Sequence, residues 1–211
     1  MFESLFYDFV TLLAVVNPIE AAATFATLTS AESSQNQARI AARSSIVALI
    51  ILVAFGFIGD GLLKALGIGF PAFRIAGGLL LLKVGFDMVF AKDTGTQKLA
   101  PGEEQAAVTS ADPSVFPLAI PIITGPGALT TIVTLMSKRN ESWLEVGLVT
   151  LIAVAVLSIT FLAMRASQSL KKVLGTTGIN AVGRVMGIIV SAIAIQLVVD
   201  GMQVVFPGMM H

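Results

Sequence analysis

The strongest constraint in this sequence is the length of its uninterrupted apolar runs. Ile46 to Ile58 passes through thirteen positions without one polar side chain. Such runs do not alternate as the strands of a membrane barrel do, so they specify helices. A helix needs about 20 apolar residues to cross a bilayer. The chain has 211 residues, 55% apolar and only 12% charged, with a mean hydropathy of +0.90, whereas a soluble domain carries roughly 25% charged residues. Six spans would use about 120 positions and leave short connections. The sequence therefore predicts an all-α membrane protein with six transmembrane helices.

The predicted spans run near Leu5 to Leu28, Ile40 to Leu62, Phe70 to Ala91, Ser114 to Met136, Trp143 to Met164 and Ile179 to Val205. Met1-Phe2-Glu3-Ser4 has no basic stretch, so the first span is expected to be retained rather than cleaved as a signal peptide. The connection from Lys92 is the longest and most polar, dividing the chain into a first repeat (1–91), a linker (92–113) and a second repeat (114–211). Arg39, Arg43, Lys92, Lys98, Arg165, Lys171 and Lys172 lie near the connections after spans one, three and five. Only Lys64, Lys138 and Arg139 lie near the others. The positive-inside rule makes the first set cytoplasmic. The expected placement is a multi-pass protein of a cell inner membrane with both termini periplasmic and the polar linker cytoplasmic.

Charge and composition exclude several activities. The 13 Lys+Arg balance 13 Asp+Glu, so nothing suggests a nucleic-acid partner. There is no cysteine, and the single histidine is the final residue, His211. Thiolate catalysis, His-based triads and Cys/His metal centres thus have no material. No phosphate-binding G-x-x-x-x-G-K-[ST] sequence occurs, so the chain is not itself an ATP-hydrolysing pump. No cofactor or metal is expected, nor an enzyme, since no nucleophile and base can be paired from the motifs.

The halves align on each other. Val15-Val16-Asn17-Pro18 falls on Ile123-Thr124-Gly125-Pro126 at an offset of 108, as Lys64-Ala65-Leu66-Gly67 falls on Lys172-Val173-Leu174-Gly175. Arg74-Ile75-Ala76-Gly77 meets Arg184-Val185-Met186-Gly187 at 110. With three spans in each half, the repeats must insert in opposite orientation, the arrangement that lets a central site open alternately to either side.

Helix breaks coincide with the repeat. Asn17-Pro18-Ile19-Glu20 reads as a helix start within the first span: Asn17 as N-cap, Pro18 at the first helical position and Glu20 completing a capping-box arrangement. Thr124-Gly125-Pro126-Gly127 repeats this in the fourth span, with glycines that permit unwound backbone. Paired interruptions are the best sequence pointer to a transporter's binding site, although a lone proline more often only kinks a helix. Half-helices starting at Pro18 and Pro126 would offer free N–H groups to a substrate carboxylate. Thr24, Thr130 and Thr131 on the following turns would add hydroxyls.

Glu20 has two readings. It carries a proton or meets a substrate amine, as an intramembrane carboxylate does by default, or it only caps its own helix. Arg74 and Arg184 occupy equivalent places and are expected to anchor at opposite faces, with gating as the functional alternative. Lys83 and Asp87 are spaced for a local ion pair. Gly77, Gly78 and Gly85, with Gly183, Gly187 and Ser191, form small-residue strips for close helix contact. Pro117 and Pro121 are expected to shape the start of the fourth span.

At Val16-Asn17-Pro18-Ile19 and along Pro117-Leu118-Ala119-Ile120-Pro121-Ile122-Ile123-Thr124-Gly125-Pro126-Gly127-Ala128-Leu129-Thr130-Thr131 the sequence resembles the MarC family of six-span inner-membrane proteins. The resemblance covers essentially the whole chain. It implies a relation to proteins some of which transport small neutral amino acids, and it implies family roles for Asn17, Pro18, Gly125, Pro126, Gly127 and Thr131. Where the family commonly has glycine after Asn-Pro-Ile, this chain has Glu20. The added charge and volume favour a cationic solute or a different coupling ion. The resulting expectation is a secondary transporter of small solutes, amino acids foremost, coupled to protons or sodium. The alternative is a non-transporting membrane scaffold with a stress-related role. Homo-oligomerisation is left open.

Overall fold

The computed structural model describes residues 2–90, 112–139 and 142–206; all but the last two positions of the 92–113 linker lie outside them. The described residues are helical apart from short connections, with no strand among them. In chain order the elements are α1 (Phe2–Val16), α2 (Pro18–Leu28), α3 (Ser34–Ala65), α4 (Phe70–Phe90), α5 (Ser114–Ile123), α6 (Pro126–Lys138), α7 (Trp143–Arg165) and α8 (Ser167–Val205). Among the described residues four stretches are long and apolar enough to cross a membrane: Glu3–Leu28, Ser34–Ala65, Trp143–Arg165 and Thr177–Val205. The bent pair α5–α6, folded by 64° at its break, makes a fifth. α4 holds the place expected of the third span, but Arg74, Lys83 and Asp87 give its 21 residues more charge than an ordinary membrane span carries.

Local chemistry sets the helix ends. Ser33 and Ser142 cap α3 and α7, their hydroxyls each accepting from the backbone N–H three residues on at 3.3 Å. After α3 the chain stops in a Schellman turn: Gly67 takes φ 68°, its N–H donates to Lys64 O and that of Ile68 to Leu63 O. α8 begins before the expected sixth span and is interrupted at Gly175, at φ 61°, so Thr177–Val205 forms the long piece.

α5, the start of span four, is irregular at its two prolines. A proline disfavours helical geometry at the residue before it, and Phe116 and Ile120, preceding Pro117 and Pro121, are extended. Both of these X-Pro bonds are cis. The surviving hydrogen bonds skip five residues, from Leu118 N–H to Pro113 O and from Thr124 N–H to Ala119 O.

The centre of the bundle is α6, whose residues Gly127, Ala128 and Thr130 to Met136 are all buried. α3 presents Gly56 and Gly59 to Met136 and Val133, while α4 presents Gly77 to Thr130 and Leu81 to Gly127. α4 and α8 run antiparallel in close contact. Gly201 meets Pro71 and Ile75, Gly78 meets Ala194 and Val198, and Gly85 meets Gly187 and Ser191. Glycine there lets the two backbones approach, which is how helices associate without a hydrophobic driving force. Outward-facing apolar side chains such as Ile46, Ile50, Phe57, Ile58, Leu151 and Leu162 are left for lipid.

Charges gather at the two ends. At one, Arg139 Nε donates to Asp8 at 2.7 Å in a buried pair, Arg139 also reaches Ser4, and Lys138 lies 3.4 Å from Asp200. At the other, Arg43 pairs with Asp112 and Arg165 donates to Ser34 O at 3.5 Å. Within α4, Lys83 and Asp87 pair at 2.9 Å.

A methyl on Gly85 would come within 3.0 Å of backbone atoms of Ser191 and Gly187, whereas one on Gly183 would meet nothing within 4 Å. Gly85→Ala should therefore lower stability by about 1–3 kcal/mol through overpacking. Gly183→Ala should hold or raise it by about 0.5–1 kcal/mol through helix propensity. Thermal unfolding of the two detergent-solubilised variants checks the contrast.

Candidate functional site

The first break is a single residue. Asn17 adopts the left-handed conformation (φ 49°, ψ 74°), which asparagine tolerates better than most residues. Its backbone N–H still donates to Leu13 O and its carbonyl accepts from Ala21 N–H, so Glu3–Leu28 remains one span with an interruption. The side chain is 3% exposed. Its Oδ1 accepts from Glu20 N–H at 3.5 Å and its Nδ2 donates to Glu20 Oε2 at 2.7 Å, with Met88 Sδ of α4 at 3.9 Å. The expected capping box is thus modified. In the usual box the third-position carboxylate takes the N-cap backbone N–H, but here α1 already uses that group, so the carboxylate takes the Asn17 amide instead.

The second break is wider. Gly125 is extended (φ −63°, ψ 170°) and α6 starts at Pro126 with no side-chain cap. Thr124 turns inward, its hydroxyl donating to Ala119 O at 2.8 Å. The first turn of α6 therefore presents N–H groups without a capping side chain, the arrangement that favours an anion. Gly127 lies against Val15 and Leu81, which brings the start of α6 beside the end of α1. From this shared region α2 runs towards the Arg43/Arg165 end and α6 towards the Arg139/Asp200 end.

The sequence-predicted residues divide accordingly. Asn17, Pro18, Thr124, Gly125, Pro126 and Gly127 line the two breaks. Glu20 is half-buried on the first turn of α2 and Thr24 half-buried one turn on. Thr130 is buried against Gly77 and satisfies itself by donating to Pro126 O at 2.9 Å. Thr131 is 2% exposed, and among the described residues its hydroxyl has no hydrogen-bond partner. Thr134 on α6 and Ser45 on α3 share that condition. Both escape sequence reading, because a lone hydroxyl in an apolar helix carries no signal of its burial. Arg74 stands apart from the breaks near the start of α4, its guanidinium 4.6 Å from the centre of the Phe70 ring. Arg184 is exposed on α8, and the structure does not bring it to the breaks.

A cavity of about 240 Å³ lies between α2 and the first part of α8, where Ser167, Leu170, Ile179 and Asn180 form the α8 wall. It is at the Arg43/Arg165 end of the bundle. Ser167 is 3% exposed.

Asn17→Ala should destabilise by about 1–2 kcal/mol, since alanine loses the cap and fits the left-handed region poorly. Asn17→Gly should cost less than the alanine variant, because glycine accepts that conformation freely. Equilibrium unfolding of the three proteins in one detergent reads the order.

Comparison with known sequences agrees with this architecture. The UPF0056 membrane protein YvbG of Bacillus subtilis is 33% identical over 207 residues, covering 98% of each chain. A UPF0056 membrane protein of Methanocaldococcus jannaschii is 34% identical over 92% of this chain and 94% of its own. One of Aquifex aeolicus is 35% identical over 92% and 90%. No solved structure matches the chain. Residues 2–206 match the model described as MarC family integral membrane protein, and the chain belongs to that family.

Proposed function

We propose that the protein is a secondary transporter of small solutes, amino acids foremost, working by alternating access around the breaks at 17–20 and 124–127. In this reading six spans form two inverted three-helix repeats, α4 included. The protein sits in the cell inner membrane with both termini periplasmic, and proton or sodium flow drives it. The observation that carries the reading is the pair of helix starts at the breaks, Pro18 buried and Pro126 followed by the buried Gly127, brought into one region where Gly127 lies against Val15 and directed to opposite ends.

The pattern of helix packing supports the inversion. Exchanging α1 with α5, α2 with α6, α3 with α7 and α4 with α8 turns α3·α6 into α7·α2, α3·α5 into α7·α1, α4·α6 into α8·α2 and α1·α6 into α5·α2. All of these pairs are in contact. The central pairs α3·α7 and α4·α8 map onto themselves. Such interchangeability is what alternating access requires.

The two starts differ chemically in a way that suits a zwitterion. The uncapped turn of α6 would take a carboxylate, while Glu20 would face an ammonium group from α2. The position equivalent to Glu20 is Ala128, so the polarity is not doubled. Glu20 beside the ammonium would also suit a cationic amino acid, and its protonation would couple transport to pH.

Uptake of labelled alanine and lysine into proteoliposomes, with a proton or sodium gradient imposed, tests this. Uptake should respond to one gradient, and Glu20→Gln should reduce it at least tenfold. Thr131→Val removes a buried hydroxyl that lacks a described partner, so it should leave the empty protein as stable or about 1 kcal/mol more stable while weakening uptake. Absence of uptake of every small amino acid by folded protein would refute the amino-acid assignment.

A further inference from the structure

We infer that the cavity between α2 and α8 is the solute's vestibule on the Arg43/Arg165 side, and that the structure is the conformer open to that side with the opposite path shut. The inference rests on the transporter reading and adds which path is open. On its α2 wall the cavity is lined by Ile19, Ala22, Ala23, Ala26 and Thr27. At the offset that superimposes Pro18 on Pro126, these five fall on Gly127, Thr130, Thr131, Thr134 and Leu135. Every one of those five is buried.

The contrast is one of packing. The α6 face is sealed by α4, with Gly77 so close to Thr130, and Leu81 to Gly127, that neither glycine has room for a methyl group. The equivalent α2 face packs on α8 more loosely: Ala22 and Ala26 are buried, but Ile19 and Ala23 are only half-buried and Thr27 is exposed, and all five border the cavity. Two repeats that share their main helix pairings but differ in how tightly these faces are packed are in different conformations. The open side is fixed by neighbours: Ser167 follows Arg165, which reaches Ser34 O, and Thr27 precedes the end of α2. At the far end the buried Asp8–Arg139 pair ties α1 to the end of α6, holding the closed path shut. Among the described residues the cavity lining bears no charged side chain, so it admits neutral or zwitterionic solutes without an ionic trap along the way.

The chain contains no cysteine, so single-cysteine variants give an unambiguous readout. Ala26→Cys and Thr134→Cys are made in the full chain in sealed vesicles of known orientation and exposed to a membrane-impermeant maleimide from each side. Ala26→Cys should label from the Arg43/Arg165 side only, at least tenfold faster than Thr134→Cys labels from either side. Ala23→Cys and Thr131→Cys form a second pair should either first variant fail to fold. Equal labelling of the two members of a pair, or an unreactive α2 cysteine, overturns the inference. Labelling needs no solute, so the outcome is separable from that of uptake. An Ala26→Cys protein that takes up alanine yet resists the maleimide overturns the vestibule and leaves the transporter reading standing.

Discussion

Backbone hydrogen bonding without water is the constraint from which the rest of this structure follows. In the hydrocarbon core an unpaired N–H or C=O costs several kcal/mol, so irregular backbone survives only inside protein or along a wet cavity. α5 and the two breaks are irregular, and most of their residues are enclosed, with Val115, Ile120 and Pro126 reaching the surface. Asn17 keeps its ladder bonds to Leu13 and Ala21, Thr124 donates both its backbone N–H and its hydroxyl to Ala119 O, and α6 is buried from Gly127 to Met136 apart from the half-buried Leu129. The glycines on α3 and α4 that allow α6 to be enclosed are as necessary to the breaks as the prolines that create them.

Charge obeys the same constraint. At the bundle ends ionic groups pair across elements far apart in sequence, Asp8 with Arg139 being the most enclosed of these pairs. The ions of α4 are handled within the helix, Lys83 by Asp87 and Arg74 by the Phe70 ring. α4 carries three charged side chains within its 21 residues and packs along its length on α8, so tight contact helps to meet their cost. Glu20 is the exception in kind: a carboxylate on the first turn of a half-helix, held by the Asn17 amide, at a place where its repeat counterpart is alanine.

Features set by local chemistry were legible in the sequence. Asn17-Pro18 and Gly125-Pro126 mark helix starts because proline and the capping residue act on their immediate neighbours. The strips through Gly78, Gly85, Gly187 and Ser191 announced close contact by spacing alone. Features that depend on what surrounds a helix were not legible. Nothing along 127–136 says that nearly every residue there is buried. The unpartnered hydroxyls of Thr134 and Ser45 become notable only once burial is known. The Asp8–Arg139 pair joins residues 131 positions apart. In α5 the spacing of Pro117 and Pro121 by four resembles a helix face, and the extended residues before each proline emerge only in the fold.

The central claim is that the breaks of the two repeats form one solute seat. A ligand that binds only the native state raises its unfolding midpoint by mass action, by about 2.7 kcal/mol at one hundred times Kd. The most direct test is therefore the unfolding midpoint of the purified protein titrated with alanine and with lysine, repeated on Glu20→Gln and Thr131→Ala. The account predicts a saturable rise with at least one of these amino acids, lost or strongly weakened by a substitution at either break. No rise with either amino acid, or a rise that both substitutions leave intact, would contradict it.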